Sequence, residues 1–414
     1  MTATDFDLII VGGGMVGASL AISLAQQPLR IALIEAARYD SDTTTNIPSY
    51  DDRAIALSFG SRRIFEGMAM WADIATQSTP IQRIHVSDQG RFGCTRLDSH
   101  EEGVEALGYV ATACHLGACL WQRLQELDNL TIISPARLSQ IKLGAEHATV
   151  VVERSDSGSN ATQTLTSQLV VAADGGDSPI RRLLDITARE HDYHQTAIIA
   201  NISSERPHHN VAYERFTRHG PLALLPMAGQ RCSLVWTRTP DDAERLLALS
   251  EVDFLAELQP CFGQRLGRFT QVGQRAAYPL RLVQATEQIR PRLALIGNAA
   301  HTLHPIAGQG FNLGLRDVAT LAQCLADASR HHADLGATSV LAPYAQWRQR
   351  DQRQVIGFTN TLVQTFSNAF PPLALVRNLG LIATDIVPPL KHGLARRAMG
   401  IAGKLPRLAR GLPL

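Results

Sequence analysis

Three glycines spaced Gly12-x-Gly14-x-x-Gly17 stand directly behind the apolar run Leu8-Ile-Ile-Val11 and open a helix-like stretch that lasts to Gln27. The spacing suits a pyrophosphate. Gly12 permits a tight turn, Gly14 lets the phosphates come against bare backbone, Gly17 lets helix and strand pack closely, and the helix start offers amide donors with a positive dipole. A second apolar strand, Ile31-Ala-Leu-Ile-Glu35, ends in an acid 23 positions after Gly12. A carboxylate at that distance accepts hydrogen bonds from an adenosine ribose. Strand, turn, helix and acid together predict dinucleotide binding over a glycine turn that merely fits a buried strand, and they leave FAD and NAD unseparated.

Two later segments bear on that choice. Leu169-Val-Val-Ala-Ala-Asp174-Gly175 is an apolar strand ending in an acid and a glycine; alone it reads as a capped strand-to-turn junction, and beside the other motifs as part of the nucleotide site. The segment Leu293-Ala-Leu-Ile-Gly297-Asn298 runs on through His301, His304-Pro305, Gly308-x-Gly310 and Asn312 to Gly314, after which helical periodicity resumes. Gly308 and Gly310 bring bare amides against a flat ring, and the helix behind aims its positive end at the same place. A reduced flavin is anionic along its N1 and C2 carbonyl edge, so the loop from Pro305 to Gly310 predicts FAD held in a setting that favours reduction.

These motifs need a frame. The alternation of apolar strand and helix predicts an α/β chain with a Rossmann-like FAD-binding domain. Between the second and third motifs the pattern turns to strands: Ala197–Ile202, Val211–Phe216, Leu222–Met227, Cys232–Thr237 and Gln274–Leu280, with a hairpin turn over Met227–Arg231. They predict an inserted, mostly antiparallel β-sheet. Domain bounds follow at 1–75, 105–185 and 281–340 for a discontinuous FAD-binding domain, 76–104 and 186–280 for a substrate-binding sheet, and 341–414 for a C-terminal helical region broken at Pro371-Pro372. From Arg377 onward seven cations face the lone anion Asp385, interleaved with Leu, Ala and Gly. Such a tail suits peripheral contact with an anionic membrane, or else packs on the body with a solvated basic face.

Composition narrows the class. The 414 residues are 45% hydrophobic and carry 39 Lys and Arg against 38 Asp and Glu, so a large core is affordable and no overall basic field exists to gather nucleic acid. Six scattered cysteines without Cys-x-x-Cys spacing fit a reducing compartment, and an acidic start with an apolar run of only four residues argues against a signal peptide. The expected place is cytoplasmic, with peripheral contact at the inner face of a membrane. His301 reads as local structure and His331-His332 as a solvated helix end; neither has acids or thiols at ligand spacing, so no metal is expected.

The three motifs in this order, with Asp52-Arg53-Ala-Ile-Ala-Leu-Ser58, Tyr193-His-Gln195, Phe216-Thr-Arg-His-Gly220-Pro-Leu-Ala-Leu-Leu-Pro226 and His304 to Gly314, resemble the class A flavoprotein aromatic hydroxylases, and among them the ubiquinone-biosynthesis hydroxylases, along almost the whole chain. The resemblance implies FAD as cofactor, NAD(P)H as co-substrate, and oxygen transfer through a flavin C4a-hydroperoxide to a lipophilic polyprenylated phenol. The conversion implied is that of 2-polyprenyl-6-methoxyphenol to the 1,4-benzoquinol, and other proteins of the same biosynthesis become possible partners. Arg53 would then lie near the ribityl chain and phosphates, and Asp174 and Gly175 where FAD binds. Gly297 and position 298 would meet the ribityl hydroxyls; Asn298 departs from the family's usual aspartate but still accepts and donates. Asn312 falls in the same loop motif. His304 is a candidate base for the phenol proton, with bracing of the Pro305 loop as its competing role. Tyr213, Phe216, Pro226 and Trp236 are candidates to line the substrate pocket, or to pack the sheet on its helices. Hydroxylation of another ring position or phenol, an NAD-linked dehydrogenase, and a non-catalytic flavoprotein scaffold stay open beside this reading.

Overall fold

The computed structural model describes residues 4–38, 53–156, 159–303, 308–366 and 371–414. The run that precedes the glycines forms the Phe6–Val11 strand at the centre of a parallel sheet. Its side chains alternate between two cores: Leu8 and Ile10 enter one, Ile9 and Val11 the other. Burial on both faces explains why the segment is continuously apolar rather than alternating. Ile31–Ile34 and Ser159–Ala172 flank it in parallel, Leu130–Ile133 pairs beyond the former and Leu293–Leu295 beyond the latter. All three motifs leave the same edge of this sheet, at the carboxyl ends of Phe6–Val11, Ser159–Ala172 and Leu293–Leu295, the place where open α/β sheets bind ligands.

Helices Met15–Ser23 and Gln309–Arg330 cover one face, and Leu315, Val318 and Leu321 of the second pack with Leu20 and Ile22 of the first. Ala136–Leu143 and Ala148–Asp156, antiparallel to each other and to Ser159–Ala172, pack against the other. The second sheet has nine strands and is mostly antiparallel. Ala188–Ser204 lies beside Arg231–Arg238 and Ala276–Ala285, followed outward from Arg231–Arg238 by Gly220–Pro226, Val211–Thr217, Arg83–Asp88 and Cys94–Asp98; the Val211–Thr217 and Arg83–Asp88 pair is parallel. Helices Pro240–Ala248 and Glu251–Phe262 pack on its outer face around Trp236, Phe254 and Phe262. Each of the five strands expected from periodicity overlaps an observed one, the sheet adds Arg83–Asp88, Cys94–Asp98, Phe269–Val272 and His301–Thr302, and the α/β class with an added antiparallel sheet and C-terminal helices is the architecture found.

Thr338–Phe366, Pro371–Ile386 and Pro388–Ala398 form the C-terminal helices. The last part of the basic tail, behind these helices, packs on the body. Leu408 and Ala409 enter the main core, Lys404 lies over the Trp347 ring at 4.3 Å, and Trp347 Nε1 donates to the Lys404 carbonyl at 3.0 Å. Among the two readings of the tail, the structure favours packing for residues 404–410. Exposed apolar side chains stand elsewhere, at Leu375, Val376, Leu379, Ile386, Val387 and Leu390.

Candidate active site

One cavity of about 1620 Å³ runs between the two sheets. Pockets for a single small ligand fall near 300–1,000 Å³, so this one holds a dinucleotide with room for a second molecule. Gly12, Gly14, Glu35, Arg53, Asp174, Gly175, Asn298, Gly308 and Gly310 all line it, together with the inner face of the antiparallel sheet.

The glycines divide by what a Cβ would meet. At Gly12, with φ +102°, it would lie 2.4 Å from the Ala173 carbonyl oxygen, and at Gly17 it would lie 1.9 Å from that of Gly12. These two are demanded by the fold of the turn itself. At Gly14, Gly175 and Gly310 a Cβ would meet nothing within 4 Å. Those three line the cavity, and their bare backbone is the cradle a bound cofactor fills. Gly308, at φ +60°, caps the Gln309–Arg330 helix, whose first turn faces the same space. Gly297, also left-handed at φ +58°, is buried against Val16 and turns Asn298 outward to the cavity wall.

Polar groups complete the cradle. Glu35 accepts the Gly13 amide at 2.6 Å and the Ala37 amide at 2.7 Å, which fixes its carboxylate at the nucleotide end. The Arg53 guanidinium sits 5.1 Å from the centroid of the Tyr278 ring, an aromatic face that holds it at the wall. Asp174 Oδ2 accepts the Ile180 amide at 3.0 Å, while Oδ1 is buried without a partner. Burial pushes this carboxyl up, against the opposing pull of Ser178 and the Ile180 amide. A buried acceptor left open beside an open glycine fits a cofactor hydroxyl or amide. Asn312 has a different role. Its Oδ1 accepts Ser58 N at 2.8 Å and Ser61 Oγ at 2.6 Å, and its Nδ2 donates to the carbonyls of Ala56 at 2.8 Å and Gly308 at 2.6 Å. Both ends of the amide tie the Gly308 cap to the Ala54–Ser58 strand, so Asn312 shapes the cradle from behind.

His304 and Pro305 lie outside the described residues. Of the four aromatic or proline candidates for the second molecule, Phe216 lines the cavity, whereas Pro226 and Trp236 do not. Trp236 is fully buried on the outer face, edge-on to Phe254 at 5.6 Å. Tyr213 touches the lining, but its ring packs at 89° on Phe262, 5.3 Å away, on that same outer side. The cause is strand parity: Ala212, Glu214 and Phe216 face the cavity, so Tyr213 turns away.

Sequence reasoning missed a charged network behind the Gly297 turn. Asp317, wholly buried, accepts His301 Nε2 at 2.6 Å and the Gly297 amide at 3.0 Å on Oδ2, and Arg348 Nε at 2.7 Å and Gln352 Nε2 at 3.1 Å on Oδ1. Arg348 also pairs with Asp351 at 2.5 Å, and Asp351 with Arg316 at 2.8 Å; Arg316 and Asp351 reach the cavity. Burial pushes the Asp317 carboxyl up, but His301 and Arg348 together outweigh it and leave the group below the usual carboxylate range. His301, read as local structure, is indeed enclosed in this network.

A nucleotide-binding parallel sheet, a glycine-lined cradle and a roofing antiparallel sheet over a large shared cavity fit a flavin-dependent oxidoreductase. Comparison with known proteins gives the same class. The family model described as FAD binding domain matches residues 5–359. The chain is 38% identical to the ubiquinone hydroxylase UbiL of Rhodospirillum rubrum over 99% of this chain and 93% of that protein, and 31% identical to the 3-demethoxyubiquinol 3-hydroxylase of Escherichia coli over 97% and 100%. In fold it is similar to the p-nitrophenol 4-monooxygenase of Pseudomonas putida, with a TM-score of 0.78 over 96% of this chain and 98% of that one at 18% identity. The chain belongs to the FAD-dependent hydroxylases of ubiquinone biosynthesis.

Proposed function

We propose that the chain hydroxylates the ring of a polyprenylated phenol, converting 2-polyprenyl-6-methoxyphenol to the 1,4-benzoquinol with NAD(P)H and O2. One atom of O2 enters the ring as hydroxyl, the other leaves as water, and NAD(P)H supplies two electrons. The observation that carries this reading is the continuity of the cavity: it joins the glycine cradle to an apolar sheet face of Ile84, Val86, Ala223, Leu225 and Val235 and reaches Leu381 and Leu394 of the C-terminal helices.

FAD, held by Gly12, Gly14, Glu35, Arg53, Asp174, Gly175, Asn298, Gly308 and Gly310, supplies the redox chemistry and the activation of oxygen. The chain does the rest. The amides at Gly308 to Gly310, at the positive start of a 22-residue helix, stabilise negative charge on the ring edge placed there. The apolar sheet keeps water from the reacting centre. The purified enzyme should oxidise NAD(P)H faster when the phenol is added and yield the hydroxylated ring; oxidation indifferent to the phenol, with only hydrogen peroxide formed, would sink the proposal. The Escherichia coli relative is named for hydroxylation at another ring position, so the precursor that accumulates in a deletion strain identifies the step.

The prenyl tail needs a way in. The Pro371–Ile386 helix is fixed to the Cys94–Asp98 strand and the loop before it by one face: Asn378 accepts the Gly93 amide at 2.9 Å, the Leu381 carbonyl accepts Thr95 Oγ1 at 2.8 Å, and Asp385 accepts Arg96 Nη2 at 2.7 Å. The opposite face leaves Leu375, Leu379 and Ile386 between 53% and 70% exposed, while Val376 of the same helix also lines the cavity. Among the described residues no helix is long and apolar enough to cross a membrane. We assign this face, rather than residues 404–410, to the bilayer surface that delivers the substrate. Leu379→Glu with Ile386→Glu should weaken sedimentation with anionic phospholipid vesicles by tenfold or more, on the order of one buried aliphatic side chain. Turnover of a short-chain phenol should be unchanged.

A further inference from the structure

The antiparallel sheet presents to the cavity a face that is apolar at most positions, and among the described residues one carboxyl side chain stands in it. Glu214, in the middle of the Val211–Thr217 strand, points to the cavity between Ala212 and Phe216, with Val86 beside it on one neighbouring strand and Ala223 on the other. Among the described residues its carboxyl has no hydrogen-bond or ion-pair partner, and Oε1 is buried with nothing to meet. Glu214 is half-buried, and what surface it keeps borders the cavity. Burial alone pushes it up to about 7.

An enclosed carboxyl without a partner costs folding free energy that an apolar residue of similar shape would not. Groups kept at such cost in a cavity, with ionisation moved towards neutrality, mark functional sites. Of the other acids among the described lining residues, Glu35 holds two amides, Asp351 pairs with Arg316, and Asp174 accepts the Ile180 amide and stands in the glycine cradle that the cofactor fills. Glu214 is the acid that remains for the second molecule.

We propose that Glu214 recognises the substrate by its ring hydroxyl, accepting the phenol's O–H hydrogen bond and so fixing the ring's orientation in the cavity. The inference rests on the phenolic substrate proposed above. A carboxyl group that is partly ionised near neutral pH is a strong acceptor for a phenol, and the bond it draws shifts electron density into the ring, which raises the nucleophilicity that oxygen transfer requires. It would also reject a ring whose oxygen is capped, because the carboxyl would then stay enclosed and unpaired.

The test compares a short-chain 2-prenyl-6-methoxyphenol with its methyl ether, in which the ring hydroxyl is capped, on FAD-loaded wild type, Glu214→Gln and Glu214→Leu. Dissociation constants come from the perturbation of the flavin spectrum, and coupling from product formed per NAD(P)H oxidised. Wild type is expected to prefer the phenol by roughly tenfold or more, the scale of a buried hydroxyl partner. Glu214→Leu should lose that preference and most of the coupling, and Glu214→Gln should keep part of the preference through its amide oxygen. Both variants should retain FAD and melt no lower than wild type, because an unpartnered enclosed carboxyl has been removed, so a folding failure is not the expected source of the loss. A Glu214→Leu enzyme with the wild-type preference overturns the inference and leaves the phenolic reading standing. A wild type that takes neither compound overturns the phenolic reading, and the inference with it.

Discussion

Asp317→Ala is expected to lower the free energy of unfolding by about 3–5 kcal/mol, the range for breaking a buried ion pair by removing one partner. The carboxylate serves four donors from four places: a ring, a guanidinium, a side-chain amide and the backbone amide of Gly297. Alanine leaves His301 without its Asp317 bond and the Gly297 amide unmet, and Arg348 keeps only Asp351 as counter-ion. Urea midpoints of the apoprotein measure the loss; a change below about 1 kcal/mol would mean that the network contributes no more than an exposed pair does. Asp317 also carries a pH signature. Its pKa lies below the ordinary carboxylate value in the folded state, so its contribution is complete above about pH 4 and is lost as pH falls through the lower folded value. Asp317→Asn, which keeps the shape without the charge, should flatten the acid limb of the wild-type stability curve. Because the Gly297 amide is one of the four donors, both variants should also release FAD faster, although Asp317 itself is wholly buried.

That network shows what a linear reading cannot reach. Asp317 and Arg348 lie 31 residues apart on two helices, and nothing in the spacing of either selects the other. The glycine motifs were legible because their constraint is local: Gly12 and Gly17 meet within one turn, and strand, turn and helix are contiguous in sequence. The roofing strands were legible from their alternation, and the same alternation held a signal left unused. Aromatic identity pointed to Tyr213 and Trp236, whereas period two places Ala212, Glu214 and Phe216 on one face and Tyr213 on the other. A glutamate between an alanine and a phenylalanine at that period is the irregularity to notice. For the C-terminal tail the ambiguity is physical. Cations interleaved with leucine suit a bilayer and a protein surface alike, and Leu408 finds its apolar partner in the core of the same chain. Asn312 belongs to the loop motif by sequence, yet the geometry of Ser58, Ser61 and Ala56, some 250 residues earlier, is what uses its amide.

Gly14→Ala is expected to separate cofactor binding from folding, and Gly17→Ala to leave them joined. Gly14 has φ −63° and precedes the Met15–Ser23 helix as its cap. Alanine is a poorer cap than glycine, but it also restricts the unfolded chain, and the two effects, each within about 1 kcal/mol, oppose one another. With nothing within 4 Å of the added Cβ, the apoprotein should unfold at the wild-type urea midpoint. Bound FAD changes the account. A pyrophosphate drawn against the Gly14 backbone would meet the new methyl, and overpacking of this kind costs about 1–3 kcal/mol, or roughly 5- to 150-fold in affinity. At Gly17 the added carbon would stand 1.9 Å from the Gly12 carbonyl oxygen. Backbone rather than a flexible side chain must then move, and stability falls with or without FAD. Titration of apoprotein with FAD, beside urea unfolding of the same samples, reads both quantities. If Gly14→Ala binds FAD as wild type does, the pyrophosphate does not cross the helix start at Gly14. Loss of FAD affinity at an unchanged urea midpoint places it there, because the substitution alters nothing else that the fold requires.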